Sequence, residues 1–316
     1  MRLLVMGAGA LGSAVGGFMA KAGHHVVLVG RKPHMDAIRD SGLRITGIWG
    51  DHCVTPLDTR TNLDGLVPGE FDLLVLSVKS YQTRDAVDQL APLVTGGTLV
   101  CAYQNGLCNA ECIAQRFGWN RTIGARAIFG VRVVTAGCVE VTVIANPTAL
   151  GVYSQDAPVE RVREIAHVMD CAGLPTVYSD RIETLIWGKV AYNSALNPLS
   201  ALLDVPYGVL LESGHTRGLM TDVIHELYAV GDALGVAMEP AGPQTFVQHL
   251  FEDLIPPTAA HYASMRADFV NRRRTEIDAL NGAIVRLGED HGVACPVNRA
   301  LTRLVHAREH GLGVIE

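Results

Sequence analysis

Arg2-Leu3-Leu4-Val5-Met6-Gly7-Ala8-Gly9-Ala10-Leu11-Gly12 opens the chain, and His25-Val26-Val27-Leu28-Val29 follows after a stretch of small and apolar residues that stops at Gly23. The first apolar run reads as a strand. It ends in Gly-x-Gly-x-x-Gly, residues 13–22 read as a helix, and the second apolar run reads as another strand. Strand, glycine loop, helix and strand within about 30 residues is the opening unit of a doubly wound parallel sheet. Gly7 permits the tight turn, Gly9 lets backbone approach a pyrophosphate, and Gly12 lets the helix pack closely on the strand. Ala8, Ala10 and Leu11 complete the loop, and the start of the helix offers N–H groups and a partial positive charge to an anion. A glycine-rich turn without a ligand is the alternative, and the flanking strand and helix count against it.

The end of the second strand bears on which dinucleotide binds. NAD-binding units usually place Asp or Glu there, ~20 residues past the glycines, to hold the ribose 2′-hydroxyl. Gly30-Arg31-Lys32 stands in that place. No carboxylate repels a 2′-phosphate, and two cations are available to pair with it. NADP is therefore expected over NAD, with Arg31 the first contact; two ordinary surface cations are the alternative.

Further along, residues 43–45 and 53–55 read as short extended pieces. Residues 71–78 form a buried strand candidate that runs into Lys79, residues 85–93 a helix, and residues 98–102 a strand that runs into Gln104-Asn105-Gly106. Ligands of open α/β sheets lie outside the carboxyl ends of the strands. Lys79 and Asn105 both fall there and are expected cofactor contacts, although either alone could serve only its turn. Residues 122–134 and 138–144 suggest antiparallel strands around Ala136-Gly137, with a further strand at 150–153, a helix at 159–172 and a last strand at 176–178. Beyond that the pattern is helical. The expected architecture is α/β: a Rossmann-type doubly wound sheet in residues 1–180 that binds the cofactor, followed by an all-helical substrate and catalytic domain in residues 181–316.

Residues 182–199 read as a long, mostly apolar helix interrupted by Lys189, Asn193 and Asn197 at steps of four. Such steps return to nearly the same face, and the three side chains span ~12 Å along it. Buried without partners, an ammonium and two carboxamides cost free energy. Either the lysine snorkels and the asparagines bond nearby backbone, or the stripe lines a ligand cavity. Further on, residues 274–288 are expected to form a helix with Ile277, Leu280, Ile284 and Leu287 on its apolar face. Glu276 lies beside that face, as an inward carboxylate or as a first-turn residue favoured by the helix dipole.

Composition narrows the function further. The 316 residues carry a formal net charge of −6 and no broad basic region; Arg272-Arg273-Arg274 is the densest basic run. Nucleic acid and acidic membranes are not expected partners. The seven cysteines are odd in number and scattered, without Cys-x-x-Cys. That argues for a reducing cytoplasm and against a disulfide framework, and no metal site is expected, Cys108 and Cys112 being one helical turn apart with no accompanying ligands. Glycines interrupt any signal-peptide core near the N-terminus, and no apolar run approaches the ~20 residues of a membrane span.

Taken together, these residues resemble the ketopantoate reductase (2-dehydropantoate 2-reductase) family over nearly the whole length. The resemblance rests on the glycine loop, Val78-Lys79-Ser80, Gln104-Asn105-Gly106, Lys189…Asn193…Asn197-Pro198-Leu199, Ser264-Met265 with Asp268, and Arg274-Thr275-Glu276-Ile277-Asp278. It implies reduction of the 2-oxo group of ketopantoate by NADPH, giving pantoate for pantothenate synthesis. It also implies that Gly7 to Gly12, Arg31, Lys79 and Asn105 bind NADPH, that Lys189 donates the proton, and that Asn193, Asn197 and Ser264 hold the substrate. Glu276 would contact cofactor and support catalysis. A lysine in an apolar cleft titrates closer to the working pH, which suits a proton donor. The chain departs from the family at Asp204 to Tyr207, about ten residues beyond Asn197, where some members have a substrate-contacting Asn, and at Arg266-Ala267, where some have Leu-Gln. Alternatives are reduction of another branched 2-oxo acid or an imine, or an NADP-binding regulator without turnover. A homodimer is compatible with any of these.

Overall fold

The computed structural model describes residues 1–315. Its strands are β1 (Arg2–Met6), β2 (His25–Val29), β3 (Leu43–Gly47), β4 (His52–Val54), β5 (Asp58–Arg60), β6 (Leu73–Leu76), β7 (Leu99–Ala102), β8 (Thr122–Thr135), β9 (Cys138–Val152) and β10 (Thr176–Tyr178). Its helices are α1 (Ala10–Lys21), α2 (Lys32–Ser41), α3 (Thr83–Leu90), α4 (Asn109–Phe117), α5 (Val159–Cys171), α6 (Ile182–Leu203), α7 (Tyr207–Leu210), α8 (Gly214–Leu234), α9 (Pro243–His249), α10 (Ser264–Val270), α11 (Asn281–Asp290) and α12 (Pro296–Gly311). The chain divides into two compact units. One joins Met1–Gln104 to Asn109–Ile182; the other joins Asn105–Cys108 to the chain from Glu183 onward.

The first unit is built on one sheet in the order β4-β3-β9-β8-β7-β6-β1-β2-β5, with β10 beside β9. β1 pairs in parallel with both β2 and β6. Its side chains alternate between two cores. Leu3 and Val5 join Val15, Phe18 and Met19 of α1, Met35 and Ile38 of α2, and Val162, Ile165 and Met169 of α5. Leu4 and Met6 join Ala86, Val87 and Leu90 of α3 and Ala110 and Ile113 of α4. A strand apolar on both faces needs helices on both, which is the doubly wound arrangement. The chain runs one way from β1 to β2 and β5 and the other way to β6, β7 and β8, so the order reverses beside β1. Ligands of such sheets bind at that switch point.

In the first unit two helices and one strand, α2, α4 and β5, are absent from the sequence reading. In α2 only Met35 and Ile38 are buried, while Lys32, Asp36 and Arg39 pair on its outside, so little apolar periodicity marks it. α4 buries mainly small side chains, and β5 has three residues. The pieces expected at 138–144 and 150–153 are one strand, β9. Asn146-Pro147 reads as a turn, but the β8–β9 pairing absorbs it through register shifts around Ile128, which pairs with Asn146. Proline is tolerated at such irregularities because no ladder bond is asked of it.

The second unit packs around α6. Val190, Ala191, Ala195 and Leu196 meet Ile224 and Leu227 of α8, Ile284 of α11, and Leu301 and Val305 of α12. Leu107 joins this core, and its N–H donates to the Ala279 carbonyl at 2.8 Å. Gly106 makes that approach possible: its φ is +91°, and a Cβ there would lie 2.5 Å from the Ala279 oxygen.

α6 continues through Pro198, which has no N–H to give the Ser194 carbonyl one turn back. The buried Asn281 side chain replaces that donor, its Nδ2 reaching Ser194 O at 3.0 Å and Asn298 Oδ1 at 2.9 Å. Asn281→Ala is expected to destabilise the second unit by about 1–3 kcal/mol, because it leaves buried acceptors unmet. A lower urea midpoint at unchanged slope would report this; an unchanged midpoint would mean that water satisfies the carbonyl.

One expectation needs correction. Residues 274–288 do not form one helix: a 3₁₀ turn covers Ile277–Ala279, Leu280 breaks the path at φ −104°, ψ −107°, and α11 starts at Asn281. Glu276 precedes that turn, so the first-turn dipole reading of its carboxylate does not apply.

Candidate active site

In the first unit the glycine loop sits between the ends of β1 and β6. Gly7 has φ +103°, and a Cβ on it would come 2.4 Å from the Val78 nitrogen. A Cβ on Gly12 would come 2.6 Å from Gly7 O and 2.4 Å from Ser77 Oγ, which itself donates to Gly7 O at 3.0 Å. Gly9 differs: a Cβ there would meet only Gly7 O, at 3.9 Å. Two glycines therefore close the loop on the sheet, and the third leaves its outer face open. No side chain caps the α1 N-terminus at Gly9, so the first helical N–H groups have no side-chain acceptor. This cradle of Gly7, Ala8, Gly9, Ala10, Leu11 and Gly12 fits a pyrophosphate.

Arg31 is the N-cap residue of α2, and its side chain is exposed. Lys32, its neighbour, is engaged with Asp36 at 2.6 Å. Lys79 caps the short 3₁₀ turn Ser80–Gln82 beyond β6 and is half-buried. The loop after β7 is tied to this one by side chains: Gln104 Nε2 donates to Thr83 Oγ1 at 2.6 Å, and Thr83 donates to Asn109 Oδ1 at 2.8 Å. Sequence reading named Gln104 only as part of a motif and missed Thr83, whose side-chain partners Gln104 and Asn109 lie more than 20 residues away.

The second unit contains a partly open pocket walled by Asn105, Asn197, Ser264, Met265, Asp268, Glu276 and Leu280. Lys189 is half-buried on α6, and its Nζ donates to Asn105 Oδ1 at 2.6 Å. Of the stripe on α6, Asn197 reaches the pocket wall and Lys189 is joined to it through Asn105. Asn193 is half-buried on the same helix and is not a wall residue. Asn105, read from sequence as a residue of the sheet edge, packs with the second unit. Met265, Asp268 and Leu280 were not among the candidate site residues. Asp268 had a usable signal, since it lies one helical turn after Ser264 on α10.

The segment that presents Glu276 is braced from α12. The fully buried Glu309 accepts the Thr275 N–H at 2.6 Å and also meets His306 Nδ1 at 2.9 Å. His306 Nε2 lies 3.0 Å from Asp278 Oδ1, and Arg274 donates to Asp278 Oδ2 at 2.9 Å. Burial raises the Asp278 pKa most, yet the Arg274 hydrogen bond and the His306 charge outweigh it and hold the carboxyl below its ordinary value. Chemically, the pocket wall offers three neutral hydrogen-bonding side chains and two carboxyl groups, with the Lys189 ammonium joined to it through Asn105. That set can protonate and orient a small polar molecule.

The chain is similar to known proteins along its length. Residues 3–155 match the family model described as Ketopantoate reductase PanE/ApbA, and residues 181–309 match its C-terminal counterpart. A 2-dehydropantoate 2-reductase from Aquifex aeolicus (strain VF5) is 38% identical over 310 residues, covering 98% of this chain and 97% of its own. One from Pyrococcus abyssi (strain GE5 / Orsay) is 33% identical over 310 residues, 98% of each chain. Among solved structures, a PanE/ApbA family ketopantoate reductase from Ralstonia eutropha JMP134 superposes with a TM-score of 0.88 at 29% identity, over 99% of this chain and 100% of its own. D-mandelate dehydrogenase with NADH and anilino(oxo)acetate superposes with a TM-score of 0.89 at 26% identity, over 100% of both chains. Likeness that runs from the glycine loop through the last helix, in sequence and in fold alike, makes this chain a member of the ketopantoate reductase family.

Proposed function

We propose that the chain reduces 2-dehydropantoate (ketopantoate) to pantoate with NADPH, a step of pantothenate biosynthesis. The observation that carries this reading is Lys189 bonded to Asn105 beside a pocket walled by Asn197, Ser264 and Glu276. When bound, NADPH supplies a hydride to the 2-oxo carbon. Gly7 to Gly12 would hold the pyrophosphate, Arg31 the 2′-phosphate, and Lys79, Asn105 and Glu276 the rest of the cofactor. As the carbonyl oxygen gains charge, the Lys189 ammonium stabilises it and then gives it a proton. Asn105 Oδ1 aims that ammonium. Asn193, Asn197 and Ser264 orient the substrate, the asparagines through its carbonyl and hydroxyl groups and Ser264 through its carboxylate. Residues 1–180 serve as the NADP-binding domain and residues 181–316 as the substrate and catalytic domain.

No helix among the described residues is long and apolar enough to cross a membrane. In this reading the enzyme works in the cytoplasm on a small 2-oxo acid, without nucleic acid or membrane partners, and a homodimer is its proposed assembly.

The likeness to D-mandelate dehydrogenase favours a second reading, reduction of another 2-oxo acid. One experiment separates the two: NADPH and NADH oxidation with ketopantoate, trimethylpyruvate and phenylglyoxylate. The highest kcat/KM is expected for ketopantoate with NADPH. Preference for phenylglyoxylate would install the second reading, and no turnover with tight NADPH binding would leave a regulator.

A further inference from the structure

We propose that Tyr207 is a positioning residue of the substrate pocket: its hydroxyl holds the Asn197 carboxamide by the oxygen and leaves the amide NH₂ to the ligand. The pocket then selects a 2-oxo acid with a hydrogen-bond acceptor at the end remote from its oxo group. This rests on the reading of the pocket as a 2-oxo-acid site.

Tyr207 opens α7, ten residues beyond Asn197. Here the phenol is buried and its O–H donates to Asn197 Oδ1 at 2.7 Å. Among the described residues Asn197 is bonded through Oδ1 and none bonds its Nδ2, and the residue is part of the pocket wall. A carboxamide carries an acceptor end and a donor end, so fixing one end decides what the other offers. Tyr207 is itself held. Its N–H donates to His261 O at 2.9 Å, and the next N–H, of Gly208, donates to Ala259 O at 2.9 Å. Its ring lies edge-on to Tyr192 at 6.0 Å and against His261 at 5.4 Å. Burial, with a further contribution from Tyr192, raises the phenol pKa, so the hydroxyl keeps its proton.

The direction of selection follows from α6. Lys189, which serves the oxo group, and Asn197 lie two helical turns apart, ~12 Å along the axis. Asn197 therefore meets the far end of a small substrate. In ketopantoate that end carries a hydroxyl, which can accept from the NH₂; trimethylpyruvate has the same carbon skeleton without it.

The test is steady-state kinetics of the native chain, Tyr207→Phe, Asn197→Ala and the double variant, with ketopantoate and trimethylpyruvate. Tyr207→Phe keeps the ring and is expected to raise KM for ketopantoate about tenfold, as for one lost hydrogen bond's worth of orientation. Its kcat should stay within about threefold, and KM for trimethylpyruvate and for NADPH should stay unchanged. In the Asn197→Ala background Tyr207→Phe should add nothing, because the group it aims is gone. Asn197→Asp, which offers no NH₂, should reproduce the rise if Tyr207→Phe folds poorly. An equal rise for both substrates, the same rise without Asn197, or no rise would overturn the inference while native turnover of ketopantoate keeps the proposed function. No native turnover of any 2-oxo acid would overturn both.

Discussion

Lys189→Ala is expected to lower kcat by about 10²–10⁴-fold while the KM for NADPH stays within about twofold. Hydride arrival at a ketone carbon leaves an alkoxide, and a group that acts mainly as that charge develops contributes to kcat more than to ground-state binding. Lys189 is placed for this: it is half-buried on α6, and its Nζ is tied to Asn105 at 2.6 Å. The native rate should fall as pH rises and the ammonium loses its proton, and that limb should vanish in the alanine variant. Added small amines should restore part of the rate. Near-native kcat in Lys189→Ala would make the lysine a snorkelling residue and pass the proton to another donor, Glu276 being the next candidate.

Arg31→Ala is expected to cost NADPH about tenfold to hundredfold in kcat/KM and to leave NADH nearly unchanged. A charge-assisted hydrogen bond contributes ~1.5–3 kcal/mol, and only NADPH has the 2′-phosphate to make it. Lys32 is a weak substitute, because Asp36 already holds its ammonium. Lys32→Ala should therefore change the preference much less. Because the Arg31 side chain is exposed, the preference should also shrink as salt is raised. Equal efficiency of the two cofactors in the native chain would remove Arg31 from the site.

These two predictions concern residues that the sequence already exposed, and the reason is local. The glycine loop, the cation after the second strand and the polar stripe each sit in one short stretch whose pattern is set by its own geometry. Gly7 shows this directly: a left-handed φ of +103° and backbone of residue 78 at 2.4 Å from any Cβ leave only glycine. Lys189, Asn193 and Asn197 are legible for the same reason, since a helical period of ~3.6 aligns steps of four without help from the rest of the fold. That alignment has limits. It groups the three residues on one face, but only Asn197 of the three reaches the pocket wall.

Helices whose inward face is narrow were less legible. α2 keeps only Met35 and Ile38 inside, and its polar residues pair with one another, so the period that announces a helix is faint. The segment at 274–288 failed differently. Its apolar spacing is helical and Ile277, Leu280 and Ile284 are buried, yet the backbone breaks at Leu280. There Thr275 is bound to Glu309, and Asp278 to His306, from a helix some 30 residues further on. Those bonds hold a turn that spacing alone would make a helix.

By itself, the sequence determined the doubly wound sheet, the glycine cradle, the cationic end of the second strand and the chemical types of the site, because each follows from residues close together in the chain. The tertiary structure alone decided which of those groups meet. It moved Asn105 into the second unit against Lys189, through a glycine that lets residues 105–108 pack on Ala279. It let α6 run through Pro198 by supplying a donor from Asn281, and it turned Tyr207 onto Asn197. Hydrogen bonds between residues remote in sequence leave no period to read, because their partners are chosen by packing and not by spacing.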